Sequence, residues 1–142
     1  MDKLLIALIA VVGLAVPGSK ALAELDLNDR PAMMMLGDNL LRCVITFEFL
    51  GLKATDDRRR AALERDKNAY STAALHLYKL LKVRDEEALA RRRWNAVFGH
   101  VKWADENDRL HVEMKICTRI EAHQRELMAH YRLEQEQGNK GQ

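Results

Sequence analysis

The sequence contains little proline, and this scarcity already limits the fold. Prolines occur only at positions 17 and 31 of the 142 residues, and no stretch of useful length alternates as a β-strand does. Alanine, leucine, arginine and glutamate, which are good helix formers, are plentiful instead. The chain has the length of one ordinary domain. Composition therefore predicts a single all-α domain.

The motifs of the common enzyme classes are missing as well. The sequence has no glycine-rich phosphate loop, no G-x-S-x-G and no H-E-x-x-H, and its two cysteines form neither C-x-x-C nor C-x-x-C-H. The E-x-x-H spacing of di-iron bundles is also absent. Beyond residue 23 the only serine is Ser71, which falls inside a predicted helix rather than on a strained turn. We therefore expect a non-catalytic protein without a cofactor.

The amino terminus has the pattern of a secretory signal peptide. Asp2 and Lys3 precede an uncharged run of 13 residues, 4–16, and the small residues of an A-x-A cleavage signal stand at positions 21–23. The run is shorter than the about 20 residues of a membrane-spanning helix. We expect cleavage after residue 23 and a periplasmic or secreted protein. The alternative is an uncleaved amino-terminal helix that tethers an accessory subunit to a membrane.

Charge excludes one class of partner. Without residues 1–23 the chain has 21 basic and 20 acidic residues, so no strong overall field attracts nucleic acid or membrane. Aromatic residues are not interleaved with the arginine triplets at 58–60 and 91–93, as a platform for stacking bases would require. We expect no nucleic-acid partner, and we expect contact with a membrane only through an uncleaved amino-terminal helix.

Apolar residues recur at helical spacing in four segments, and the polar connections between them are short. This pattern predicts an antiparallel four-helix bundle over residues 24–135, followed by a disordered tail at 136–142. Because neither glycine nor proline separates the second and third segments, one bent helix over both is the alternative. The predicted helices cover about residues 31–49, 56–82, 86–103 and 106–135, with Asp29, Thr55, Asp85 and Asp105 at their starts.

The two cysteines lie on the apolar faces of the first and last predicted helices. In an exported protein, an intramolecular bridge between Cys43 and Cys117 would join those helices. Chain-entropy reasoning gives the bridge about 4 kcal/mol of stabilisation. Two buried free thiols and an intermolecular bridge are the alternatives.

Three polar residues of the last helix share one column and could bind a metal. The spacing of His123, Glu126 and His130 places them on one face, and imidazole with carboxylate suits zinc, copper or nickel. This face lies nearly opposite the apolar one, so a solvated surface is the simpler interpretation. A metal- or ligand-carrying bundle is accordingly the second functional hypothesis.

Other residues are candidates for binding another protein. Trp103 and Phe49 fall near helix ends and off the main apolar faces, where an exposed aromatic side chain can anchor a partner. Arg91 and Arg92 could contact an anionic surface, although Glu87, four residues before Arg91, can also pair with it. The sequence thus favours a small exported binding protein, such as an inhibitor, immunity protein or adaptor, whose partner is a protein in the periplasm or outside the cell.

Overall fold

The computed structural model describes residues 24–141, and these residues form four α-helices without a β-strand. The helices pack into the predicted antiparallel bundle. The predicted signal peptide at 1–23 lies outside the described residues. The helices are α1 (Arg30–Lys53), α2 (Asp57–Leu80), α3 (Glu86–Glu106) and α4 (Leu110–Lys140).

Aspartates cap the first three helices. Asp29 accepts a hydrogen bond from the amide of Ala32, and Asp85 accepts one from Ala88, as the sequence predicts. The cap of α2 is Asp56 rather than Thr55, since the Asp56 carboxylate accepts from the Arg58 amide at 3.0 Å. A carboxylate at this position also interacts favourably with the positive end of the helix dipole.

Left-handed backbone ends α2 and α3. Lys82 has φ 58° and lets the amide of Val83 bond back to the carbonyl of Tyr78 at 3.1 Å. Asp108 has φ 57° in the corresponding turn after α3. Such residues stop a helix by satisfying its last carbonyls. Helices α2 and α3 are therefore separate, and the alternative of one bent helix is wrong.

Three boundaries differ from prediction. Helix α1 passes through Gly51 and ends at Lys53, because glycine inside a helix costs only about 1 kcal/mol. Asp105 lies within α3, where it pairs with Lys53, and α4 starts later than expected. Helix α4 also continues to Lys140, so residues 136–140 of the predicted disordered tail are helical, as their glutamate and glutamine residues permit.

Helix α1 lies at the centre of the core and contacts the other three helices. The apolar faces predicted for α1 and α2 are buried, and most of the face of α4 is buried too. Two polar residues of α4, Glu113 and Gln124, are buried along with that face. Glu113 forms an ion pair with Arg42 of α1, so its burial is compensated.

The disulfide between Cys43 and Cys117 is present and joins α1 to α4, as predicted. The two Cα atoms are 5.6 Å apart, within the usual range for a disulfide. Both cysteines are buried in the main core cluster. The bridge closes a large part of the chain, since its residues are separated by 74 positions.

Candidate functional site

Helix α3 covers the core least. Only Val101 and Ala104 of this helix are buried, while Trp94, Val97 and Phe98 are half-buried. Trp94 stacks on Phe98 with ring centroids 4.7 Å apart. Apolar surface on the inner side of α3 therefore remains accessible beside the bundle.

Ala90 and Trp94 of this helix form one wall of a groove of about 570 Å³ between α2 and α3, with α1 as its floor. The volume lies within the usual range of ligand pockets. Apolar side chains from all three helices line the groove: Leu41, Val44, Leu75, Ala90 and Trp94.

Two opposite charges stand on the α3 side of the groove. Glu87 and Arg91 are one helical turn apart and both are exposed. The sequence suggests that they pair with each other, but among residues 24–141 neither has an ion-pair partner within 4 Å. Arg93, two residues after Arg91, does have a partner: it pairs with Asp38 of α1 and holds α3 against the bundle. The groove thus combines apolar walls with two charges available to a partner.

The other predicted partner-binding residues lie elsewhere. Trp103 is 52% exposed near the end of α3, and Leu52 near the end of α1 is 78% exposed. The ion pair between Lys53 and Asp105 holds these two helix ends together. Phe49 is half-buried and stacks on Phe98 at 6.0 Å, so it supports the core as well as this end of the bundle. Arg92 is exposed and does not line the groove.

A histidine cluster joins α2 to α4. The Nε2 atom of His76 lies 2.8 Å from Nδ1 of His130, and Glu134 approaches both rings. His76 is buried, and this burial lowers the pKa of His76 from its ordinary value, although Glu134 acts in the opposite direction. One nitrogen from each ring and one carboxylate oxygen lie within 4.8 Å of one another. Two imidazoles and a carboxylate are a common ligand set for transition metals.

The structure separates the predicted metal column. His130 joins the cluster with His76, whereas His123 and Glu126 gather with Glu24 from the segment before α1. Burial raises the pKa of Glu126, and the nearby Glu24 carboxylate raises it further. His123, Glu126 and His130 are therefore not brought together as one ligand set.

Sequence reasoning missed His76, Glu134 and Glu113. His76 lies three residues after Ala73 and directly before Leu77, and both of these are buried. This helical spacing could have indicated that His76 lies on the inner face of α2. Glu113 is four residues before Cys117, on the same face of α4. Periodicity within one helix could not indicate that Glu134 faces an imidazole on another helix.

Among residues 24–141, no helix has the length and apolarity that a membrane span requires. Comparisons of the chain with known protein families, with curated proteins and with solved structures find no match. Function is therefore inferred from the residues and their geometry alone.

Proposed function

We propose that this protein is a small exported binding protein that accepts an amphipathic helix of another protein in the groove between α2 and α3. Its role is that of an inhibitor, immunity protein or adaptor rather than a catalyst. The observation that carries the proposal is the accessible apolar groove with Trp94 on its wall and with Glu87 and Arg91 at its edge. An amphipathic helix laid into an apolar groove is a recurring mode of recognition between proteins.

The arrangement of the helices argues for a helical occupant. Helices α2 and α3 flank α1, and the nearly buried side chains Leu41 and Val44 of α1 form the floor between them. A fifth helix lying there would pack against all three, with apolar residues at spacings of three, four and seven contacting Leu75 and Trp94. Its packing would also cover Ala90 and Trp94, which the bundle leaves half-buried.

The charges at the edge define the polar part of the occupant. Glu87 and Arg91 present a negative and a positive group one turn apart, and neither is neutralised within residues 24–141. A partner helix with a lysine or arginine and an acidic residue one turn apart could satisfy both. Such complementary charges contribute to specificity and orientation more than to affinity.

A library of displayed helical peptides tests this proposal with defined probes. We expect selection on the purified protein to enrich peptides with one apolar face and with a basic and an acidic residue one turn apart. Trp94→Ala should weaken their binding by roughly thirtyfold, the effect of losing about 2 kcal/mol at an aromatic anchor. The double substitution Glu87→Arg and Arg91→Glu should select peptides with the two charges exchanged.

Arg92→Glu is the matched control, since Arg92 is a neighbouring arginine that lies outside the groove. It should leave both affinity and charge preference unchanged. Enrichment without a charge preference would overturn the proposal. Loss of binding on Trp103→Ala but not on Trp94→Ala would place the interaction at the end of the bundle instead, and a concentration-dependent dimer that buries Trp94 would make a second copy the occupant.

Export is the remaining part of the proposal. It is supported by the amino-terminal sequence pattern and by the disulfide, which is typical of an oxidising compartment. The intact mass of the protein from its native host should lack residues 1–23. A full-length mass in the membrane fraction would instead favour the tethered accessory subunit.

A further inference from the structure

We propose that His76, His130 and Glu134 form a binding site for a divalent transition metal of the zinc class. The site is independent of the groove proposed for a partner helix. It differs from the metal site that the sequence suggests, because it uses residues of two helices and shares only His130 with that set.

One of the distances fits an ion between the three groups, and a second fits after a small rotation of one ring. The Nδ1 atom of His130 lies 3.7 Å from Oε1 of Glu134, which is longer than a hydrogen bond. Two ligand atoms that are each about 2.1 Å from a tetrahedral zinc ion are roughly 3.4 Å apart. The 2.8 Å separation between His76 Nε2 and His130 Nδ1 is shorter, and rotation of the less buried His130 ring can widen it.

The two histidines have complementary roles in such a site. The His76 side chain is only 2% exposed and packs edge-on against Tyr131, so it is a fixed ligand. His130 and Glu134 are on the same face of α4, one turn apart, and their side chains are 27% and 34% exposed. A pair of ligands on one helix with a third on its neighbour is a common way to build a metal site between helices.

The cluster is reachable from solvent. The side chains of His130 and Glu134 are partly exposed, so an ion can reach them from outside the bundle. The fourth position of the ion would face solvent on the side of these two ligands, as in open zinc sites where a water or substrate completes the coordination. Lys79 lies 3.6 Å from Glu134, and its exposed ammonium can turn to solvent when an ion binds.

Calorimetric titration of the tag-free protein with Zn²⁺ tests the site. We expect one saturable ion per chain, and Co²⁺ in its place should give the visible absorption of a tetrahedral complex. His130→Ala should weaken binding by at least about tenfold, since even the loss of residues that support metal ligands has that effect. Glu134→Gln should weaken it as well, and because this residue is partly exposed, the variant should fold normally.

His123→Ala is the matched control, because His123 is a half-buried histidine on the same helix that belongs to the other cluster. It should leave Zn²⁺ affinity unchanged. Loss of binding in this variant with retention in His130→Ala would assign the ion to Glu24, His123 and Glu126 and overturn the proposal. The absence of saturable binding, or equal affinities for wild type and His130→Ala, would overturn it too.

Discussion

Arg42 donates two hydrogen bonds to Glu113, from Nε to Oε2 at 3.1 Å and from Nη2 to Oε1 at 2.8 Å. The pair joins α1 to α4 beside the disulfide, since Arg42 directly precedes Cys43 and Glu113 is one turn before Cys117. The Glu113 side chain is only 3% exposed. His100 of α3 approaches the same carboxylate at 3.5 Å, so three helices meet at one buried charge.

Loss of Arg42 should therefore lower the free energy of unfolding more than loss of a surface ion pair does. Arg42→Met leaves the Glu113 carboxylate without its main partner, and we expect the free energy of unfolding to fall by about 3 kcal/mol. The double variant Arg42→Met and Glu113→Leu should recover most of this loss, because no buried charge remains. Urea unfolding of both variants gives the comparison. A loss below about 1 kcal/mol in Arg42→Met, the magnitude of an exposed pair, would contradict this prediction.

The disulfide should account for a large part of the stability. Replacing both Cys43 and Cys117 by alanine should lower the free energy of unfolding by about 4 kcal/mol, because the unfolded chain loses a long closed loop. Reduction of the wild type should have an effect of similar size. Mass spectrometry of unreduced peptides should link the two residues. Recovery of two free thiols from the natively prepared protein would contradict the bridge.

Two glycines should respond in opposite ways to alanine. A Cβ atom at Gly37 would lie 2.6 Å from the hydroxyl oxygen of Tyr78, whose side chain is fully buried, whereas a Cβ at Gly99 would meet nothing within 4 Å. We expect Gly37→Ala to destabilise by about 1 to 3 kcal/mol. Gly99→Ala should stabilise by about 0.5 to 1 kcal/mol through helix propensity. Thermal unfolding of both variants measures the contrast, and equal effects would refute it.

The two buried tyrosines should differ when each is changed to phenylalanine. The Tyr70 hydroxyl donates to the carbonyl oxygen of Cys117 at 3.1 Å, so Tyr70→Phe should cost about 1 kcal/mol. The Tyr78 hydroxyl is buried and has no hydrogen-bond partner within residues 24–141. Tyr78→Phe removes this unsatisfied group and should be neutral or stabilising. Chemical denaturation distinguishes the two, and a larger loss at Tyr78 would show that its hydroxyl has a partner.

The same tyrosines should make stability fall in strong base. Burial raises the pKa of Tyr70 and of Tyr78 from 10.0 to about 12, with nearby acidic residues adding to the effect. Both phenols then ionise first in the unfolded chain. The stabilisation that comes from keeping these phenols neutral is complete below pH 10 and is lost as pH rises towards 12. The free energy of unfolding should fall by at most about 1.4 kcal/mol per tyrosine and pH unit.

Urea unfolding at neutral pH and at about pH 11 measures this loss, because pH 11 is midway between the ordinary tyrosine pKa of 10.0 and the raised value of about 12. The double variant Tyr70→Phe and Tyr78→Phe is the control and should lose less stability over the same interval. A wild type that is as stable at pH 11 as at neutral pH would contradict the prediction. The ultraviolet absorbance of tyrosinate reports directly when the buried phenols ionise.

Local sequence patterns were sufficient to predict the features that depend on a single helix. The apolar face of α4 follows from the spacing of Leu110, Cys117 and Ile120, and the caps at Asp29 and Asp85 follow from residue type. Helix ends were less predictable. Lys82 and Asp108 adopt left-handed backbone although neither is glycine, and this choice depends on the turn in which each residue lies.

The sequence alone determined a helical bundle in which Cys43 and Cys117 lie on inner faces, because helical periodicity is a property of each segment by itself. Only the tertiary structure decided that His76 meets His130 and Glu134, that Glu113 is buried against Arg42, and that a groove remains beside Trp94. Those contacts depend on how far each helix is rotated and shifted along its neighbour. These relative positions are set by the packing of all the side chains together, and no single helix contains that information.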